Sequence, residues 1–316
     1  MAECNSKASA SLLRAFEKGI SYHIVKPLRR DTLPKAVILS YHNIPSDRDI
    51  SAWQPDSVSV ENFEKQMQFL VEQDFYIISL SELVKILRRG EKICAKTVVI
   101  TFDDGYKTFL LNAWPVLQKY NLPTTVFVAV DYLGKNKSFP WLVPLARQKK
   151  ENLLPMNWHD ILELKQLGVE IGSHTCSHQF LPAMSWHDVE NEVIHSGHII
   201  ERRIGIKPRA LALPFSFPLR QRAWPDFQTT FFQILENGGY NVCCTSTRGT
   251  IDSHSHPYRL GRFFINKYDD LSAFHAKALG AFSWTRFPQF IYQRFFKNYS
   301  HVDYDHIDQK LPNLGR

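Results

Sequence analysis

At 316 residues, 44% of them hydrophobic, the chain is long enough for one sizeable core and too apolar for a disordered or fibrous protein. Its net charge of +7 is mild and spread along the sequence, and no nucleic-acid motif accompanies it, so nothing here argues for a nucleic-acid partner. Five cysteines (Cys4, Cys94, Cys176, Cys243, Cys244) with no Cys-x-x-Cys pair argue against a disulfide scaffold.

The first ten residues are polar, and no apolar run of signal-peptide or membrane-spanning length follows, which favours a cytoplasmic or membrane-associated protein. Residues 1–35 read as a basic amphipathic arm. Within Ser11 to Arg30, Leu12, Leu13, Phe16, Ile20, Tyr22, Ile24 and Val25 stand among five basic residues and one acid. Such an arm either lies on a membrane surface or packs as a helix on the rest of the protein.

Ala36 to Ser40 reads as a buried strand ending at Tyr41-His42, and Val60 to Gln73 as a helix with Phe63, Met67, Leu70 and Val71 at helical spacing. A strand from Phe75 to Ser79 leads to a helix from Leu80 to Arg89, stopped by Gly90. Then come a strand from Thr97 to Thr101, a helix near residues 108–120, a strand from Thr124 to Val130 and a long loop over 131–157. Trp141, Trp158 and Phe139, in or near that loop, either stack on a bound ligand or serve as hydrophobic anchors.

A helix from Trp158 to Leu167 stops at Gly168 and is followed by a strand from Val169 to Ser173. Ser185 and Asp188 open a helix whose stripe runs Val189, Val193, Gly197, Ile200, Ile204 and ends at Gly205. Strands at Ala210 to Leu213, Tyr240 to Thr245 and Leu260 to Ile265 follow, with a helix from Phe227 to Leu235 between the first two. Repeated strand–helix alternation predicts an α/β fold, an irregular (β/α) barrel of about seven parallel strands with outer helices. His42, Asp103, Asp104, His174 and His178 all fall just after strands, on the face where α/β barrels gather their active sites.

The most informative run is Thr97 to Tyr106, Thr-Val-Val-Ile-Thr-Phe-Asp-Asp-Gly-Tyr. Side by side, Asp103 and Asp104 repel, and a nearby cation removes the penalty. Some seventy residues on, Gly172-Ser-His-Thr-Cys-Ser-His178 supplies two imidazoles four apart. In one helical turn that spacing sets both rings on one face, ready to grip one metal. Cys176 then points away as a packing residue, with metal ligation the minority option.

These two motifs resemble those of the polysaccharide deacetylase family (NodB-type domains, carbohydrate esterase family 4): Thr-Phe-Asp-Asp-Gly, matched by Thr101 to Gly105, and His-Ser/Thr-x-x-His, matched by His174 to His178. The resemblance covers roughly residues 36–266. It implies a hydrolase in which Asp104, His174 and His178 hold a divalent metal, most readily Zn2+ with iron, cobalt or nickel compatible, and Asp103 serves as general base. The implied reaction removes N-acetyl groups from a polysaccharide or a lipid-linked glycan, with O-deacetylation open.

The family's third motif, Arg-x-Pro-Tyr-Gly or similar, has its counterpart in Ala212-Leu213-Pro214-Phe215-Ser216. Pro214 and the aromatic Phe215 are present, and the Phe215 N–H is the implied oxyanion donor. The arginine is absent and Ser216 replaces glycine. Arg262 either takes over the orientation of the base or is a surface arginine in a late strand. The last motif's histidine is also missing. The Tyr41-His42 pair resembles a branch in which an N-terminal histidine is the general acid; otherwise His42 is a structural rim histidine.

The implied division is an arm at 1–35, a catalytic barrel at 36–270 and an aromatic, basic extension at 271–316. The termini either contact a membrane peripherally or pack on the barrel. Two rival functions stay open: a barrel that binds glycan without turnover, and a hydrolase of a non-sugar C–N bond of imide or formamide type.

Overall fold

Alternation within the apolar runs decides the architecture. The computed structural model describes residues 14–21, 35–46, 55–135, 138–142, 153–215 and 227–295. The strands are β1 (Ala36–Tyr41), β2 (Tyr76–Ile77), β3 (Thr97–Phe102), β4 (Thr125–Val128), β5 (Glu170–Ser173), β6 (Ala210–Ala212), β7 (Val242–Cys244) and β8 (Phe263–Phe264). They form one parallel sheet in the order β7-β6-β5-β4-β3-β1-β8, curled into an irregular barrel. β2 shares an edge of β3 with β4: it pairs with Thr97 and Val98, and β4 with Thr101 and Phe102. A bridge from Cys244 to Leu260 links the ends of the order.

Successive side chains on a strand point to opposite faces. On β1, Val37, Leu39 and Tyr41 face outward and pack with Phe63, Met67 and Leu70 of helix α1 (Val60–Glu72). Ala36 and Ile38 face inward and, with Val99, Phe127 and Val242, meet Leu80, Leu83, Val84 and Leu87 of helix α2 (Leu80–Arg88). Helix α2 therefore plugs the amino-terminal end of the barrel, and each of its buried leucines contributes about 1.5–3 kcal/mol. Followed toward the strand ends, the same inner rows turn polar: Ser40 and His42 on β1, Thr101 and Asp103 on β3.

Two expected helices depart from regular winding. The one near 108–120 opens as a π-helical turn, Phe109–Ala113, before helix α3 (Trp114–Lys119), where Pro115 has no N–H to donate. The one opened by Ser185 runs as Trp186–Glu190, a π-helical turn Asn191–His195, then Ser196–Ile204, and ends at left-handed Gly205 as its sequence predicts. The strands expected over 75–79, 124–130 and 260–265 are shorter than their apolar runs.

Residues 14–21 are helical and pack beside the barrel mouth. Glu17 meets Arg248 at 3.2 Å, Lys18 pairs with Asp270, Arg14 lies 4.2 Å over the Tyr268 ring, and Trp284 Nε1 donates to Ser21 Oγ at 2.8 Å. The helix Arg286–Phe295 joins them: the Gln289 side chain accepts from Arg248 N and donates to Ser246 O, both at 2.9 Å. The rest of the arm, residues 1–13 and 22–34, and residues 296–316 lie outside the described residues. No helix among the described residues is long and apolar enough to cross a membrane.

Gly172 on β5 leaves room for the Phe127 ring inside the barrel. A Cβ there would stand 2.5 Å from Phe127 Cδ1 and 3.0 Å from Ala210 O. Gly172→Ala is expected to lower stability by about 1–3 kcal/mol through overpacking. Urea denaturation checks this, and a midpoint equal to wild type contradicts the packing.

Candidate metal centre and active site

The two neighbouring aspartates are sent to different partners by the backbone. Asp103 continues the β3 ladder, its N–H bonded to Tyr41 O at 2.9 Å. The chain then turns through two left-handed residues, Asp104 (φ 72°) and Gly105 (φ 84°). Aspartate tolerates that region better than most residues, and glycine enters it without penalty. The turn is tied down by Met156 N to Gly105 O, 2.8 Å, and by the Lys107 ammonium, 2.7 Å from both Asp160 oxygens.

Asp103 faces Arg262. Nη1 donates to Oδ1 at 2.7 Å and Nη2 to Oδ2 at 2.8 Å. Arg262 is fully buried, so the surface reading of this residue does not hold. Its other donors reach Thr245 O at 3.3 Å and Thr101 Oγ1 at 3.4 Å, and the Phe127 and Phe264 rings flank it. Ser40 Oγ adds a contact to Asp103 Oδ2 at 3.3 Å. Burial pushes the Asp103 carboxyl up, but Arg262, His174 and His42 together hold it below the usual range.

His42 lies on the same inner row, with Nε2 3.8 Å from Asp103 Oδ2 and its ring stacked on Phe264. Its Nδ1 is buried with no hydrogen-bond partner.

Asp104 faces His174 and His178. Its Oδ1 lies 3.4 Å from His174 Nε2 and 3.3 Å from His178 Nε2, yet it is buried without an aligned hydrogen-bond donor. Two ligands of a tetrahedral ion with bonds of about 2.0–2.1 Å stand about 3.3–3.4 Å apart. The three donors, all on buried residues, lie within 4.8 Å of one another. An oxygen that has lost water, gained no hydrogen bond and faces two imidazole nitrogens fits a divalent cation. The Nδ1–H of His174 donates to Ala212 O at 2.8 Å, which leaves Nε2 free as a ligand atom. Burial pushes Asp104 up and His174 down. The imidazoles outweigh it at Asp104, held well below the usual range, and the two aspartates outweigh it at His174, which is raised.

The histidines converge without the expected helical turn. Residues 174–178 form an irregular loop with left-handed backbone at Thr175 (φ 66°) and His178 (φ 54°). Four of seven described non-glycine residues with positive φ belong to this site: Asp104, Thr175, His178 and Phe215. Such conformations persist where the surroundings over-determine them. Cys176 points into the outer core, away from the ligand atoms.

Pro214 is buried after β6, and Phe215 (φ 59°) sets its ring 4.9 Å from that of His178. Ser216 lies outside the described residues. Trp141 stacks on His178 at 4.2 Å and donates to Tyr106 Oη at 3.3 Å, while Phe139 is a buried anchor beneath it. Trp158 stands elsewhere, with Arg203 over its ring. Sequence reasoning missed Ser40, which the alternation from Ile38 to His42 would have placed beside Asp103. It also missed Glu192, which accepts from the N–H groups of Cys176 and Ser177, each at 2.9 Å; one acid among several on a helix carries no signal of that.

Replacing Arg262 by Met strands a buried carboxylate and is expected to lower stability by about 3–5 kcal/mol, with Asp103→Asn in the same chain recovering much of it. Urea denaturation of the single and double variants checks this; a single variant within about 1 kcal/mol of wild type contradicts it. Since Asp103 titrates in the fold below its usual 3.8, the pair's contribution is complete above that pH and is lost as pH falls through the lowered value. The stability gap between wild type and Asp103→Asn should narrow over the same range.

A family model described as polysaccharide deacetylase matches residues 90–242. The protein YxkH of Bacillus subtilis (strain 168) is 24% identical over 242 residues, 77% of this chain and 75% of that one. The poly-β-1,6-N-acetyl-D-glucosamine N-deacetylase of Staphylococcus epidermidis is 27% identical over 203 residues, which span 62% of this chain and 63% of that enzyme. The structure of IcaB from Ammonifex degensii shares the fold, with a TM-score of 0.63 and 21% identity over 79% of this chain and 98% of that one. Asp103, Asp104, His174 and His178 lie inside the matched span and gather at one barrel mouth, so residues 90–242 carry a polysaccharide deacetylase domain of the hydrolase type.

Proposed function

We propose that this protein removes acetyl groups from N-acetylated sugars of a polysaccharide, using a divalent metal held by Asp104, His174 and His178. The convergence of Asp104 Oδ1 on the two Nε2 atoms, at 3.3 and 3.4 Å, carries the reading. Zinc suits one carboxylate and two imidazoles, and iron, cobalt and nickel are compatible. Held there, such an ion would supply Lewis-acid polarisation of the acetamide carbonyl and of water.

Asp103 accepts the proton of the attacking water at Oδ2, its oxygen nearer His42. Arg262 keeps that carboxylate anionic and fixed in plane through two parallel hydrogen bonds, the orienting role for which a different arginine is expected in the third motif. The Phe215 N–H serves the oxyanion from a left-handed turn beside His178. His42 protonates the leaving amine from Nε2, so that the C–N bond breaks to free amine and acetate. The relative named for poly-β-1,6-N-acetyl-D-glucosamine makes that polymer the first substrate to try.

Acetate release from acetylated glucosamine oligomers, with metal content measured alongside, tests the proposal. Asp103→Asn should keep its metal and lose about 10²–10⁴-fold in turnover, and His42→Ala about 10²-fold. Undiminished turnover in either variant removes that residue's role. A metal-loaded protein that binds oligomers and frees no acetate points to the non-catalytic barrel; release of formate from formamides, with oligomers intact, points to the C–N hydrolase.

The termini favour a second element of this reading, peripheral contact with a membrane that presents a lipid-linked glycan. Phe16 (61% exposed) and Phe287 (70%) stand on the segments packed beside the mouth, with Tyr268 and Leu271 also exposed. Arg14, Lys18, Lys267 and Arg286 supply positive charge among them. Vesicles rich in phosphatidylglycerol should sediment the protein at low salt, and Phe16→Ser with Phe287→Ser should weaken this. No sedimentation even at low salt discards the idea.

A further inference from the structure

The loop between the two histidines has no regular secondary structure to hold it, and its polar backbone groups are instead bonded one by one. Val130 N donates to Thr175 O at 3.3 Å and Asp131 N to Cys176 O at 3.0 Å. Tyr132 Oη donates to Ser177 O at 3.1 Å, and His178 N to Thr175 Oγ1 at 3.2 Å. Thr175 N donates to Ser173 Oγ at 3.1 Å. The two remaining backbone N–H groups of the tip, with the Ser177 hydroxyl, go to one side chain. Glu192 Oε2 accepts from Cys176 N and from Ser177 N, each at 2.9 Å, and Oε1 accepts from Ser177 Oγ at 2.5 Å.

Glu192 sits in the π-helical turn Asn191–His195. The same turn presents Asn191 O to Cys176 Sγ at 3.9 Å, so the widened winding sets two consecutive residues against the loop tip. Val193 next to it is fully buried, which anchors the turn from the core side. Single π turns occur often where a helix serves a functional site.

We infer that Glu192 is the positioning residue of the metal centre: its carboxylate closes the loop around Cys176 and Ser177 and so holds the His174 and His178 rings in convergence on Asp104. This rests on the metal reading above. Without the clamp, left-handed Thr175 and His178 lose the contacts that over-determine them, and the loop relaxes to conformations in which the two Nε2 atoms no longer face one oxygen. The clamp works through hydrogen-bond geometry. A glutamine can reproduce it, with its carbonyl oxygen accepting both N–H groups and its amide donating to Ser177 Oγ.

The test compares wild type, Glu192→Ala, Glu192→Gln and Glu190→Ala, whose exposed carboxylate on the preceding helix serves as control. Zn2+ affinity is read by competition with a chelator, and amide hydrogen exchange at Cys176 and Ser177 is read in the metal-free proteins. Glu192→Ala should bind Zn2+ about 10–100-fold more weakly. Its two amides should exchange at least about tenfold faster, and turnover should return toward wild type at saturating metal. Glu192→Gln should stay within about threefold of wild type, and Glu190→Ala should match it. Ser177→Ala, which removes one of the three contacts, should fall between and serves if Glu192→Ala does not fold. Wild-type affinity in Glu192→Ala or in Ser177→Ala, or unchanged exchange, overturns the inference while leaving the deacetylase reading intact. Glutamine as damaging as alanine also overturns it, since the role would then be charge. A wild type that takes up none of Zn2+, Fe2+, Co2+ and Ni2+ overturns the parent reading and this one together; where it takes up one of the other three in place of Zn2+, the same comparison is read with that ion.

Discussion

A buried ion pair sets the terms for the active site. The Arg262 guanidinium and the Asp103 carboxylate are both removed from water, and neither is tolerable alone. The bidentate contact, the Thr245 carbonyl and the Thr101 hydroxyl satisfy most of the polar atoms, and two phenyl rings cover the guanidinium. With its in-plane positions occupied from the barrel interior, Asp103 is left facing the mouth and His42. The pair also ties Arg262, just before β8, to the end of β3, across the intervening β1.

The second constraint is backbone strain held by polar contacts. Asp104 and Gly105 turn left-handed in succession, so two carboxylates adjacent in sequence serve different charges. One neutralises an arginine and the other faces two imidazoles. Their mutual repulsion is thereby divided between two environments, the guanidinium for one and the imidazole pair, which could hold a cation, for the other. Thr175 and His178 repeat the device on the opposite wall, where Tyr132, Asp131 and Glu192 bond the loop.

Residues 14–21 and the helix Arg286–Phe295 pack beside the mouth and add to its rim. The helical residues 14–21 and the helix Arg286–Phe295 meet through Arg248, which bonds Glu17 on one side and Gln289 on the other. Gln289 also holds Ser246, whose hydroxyl bonds Phe215 O at 2.7 Å. A chain of hydrogen bonds thus runs from residues 14–21 and the helix Arg286–Phe295 to the residue whose ring lies against His178, linking the surface that carries the exposed aromatics to the candidate metal site.

The sequence by itself determined the parallel α/β barrel, because β-branched runs alternating with amphipathic helices have few other ways to bury their faces. It also singled out Asp104, His174 and His178, which the fold brings within 4.8 Å of one another, because two strand-end motifs with these residue types are rarely accidental. What it could not show is how the ligands meet. Spacing of four suggested a helical turn at His174 to His178, whereas the fold uses a loop whose dihedral angles depend on Tyr132 and Glu192, residues distant or uninformative in sequence. Arg262 read equally well as a surface residue, since burial is a property of the closed barrel and not of the run Tyr-Arg-Leu-Gly-Arg-Phe. Local pattern fixes which face of an element is apolar; only tertiary closure decides which polar groups lose their water, and those are the groups that must find each other.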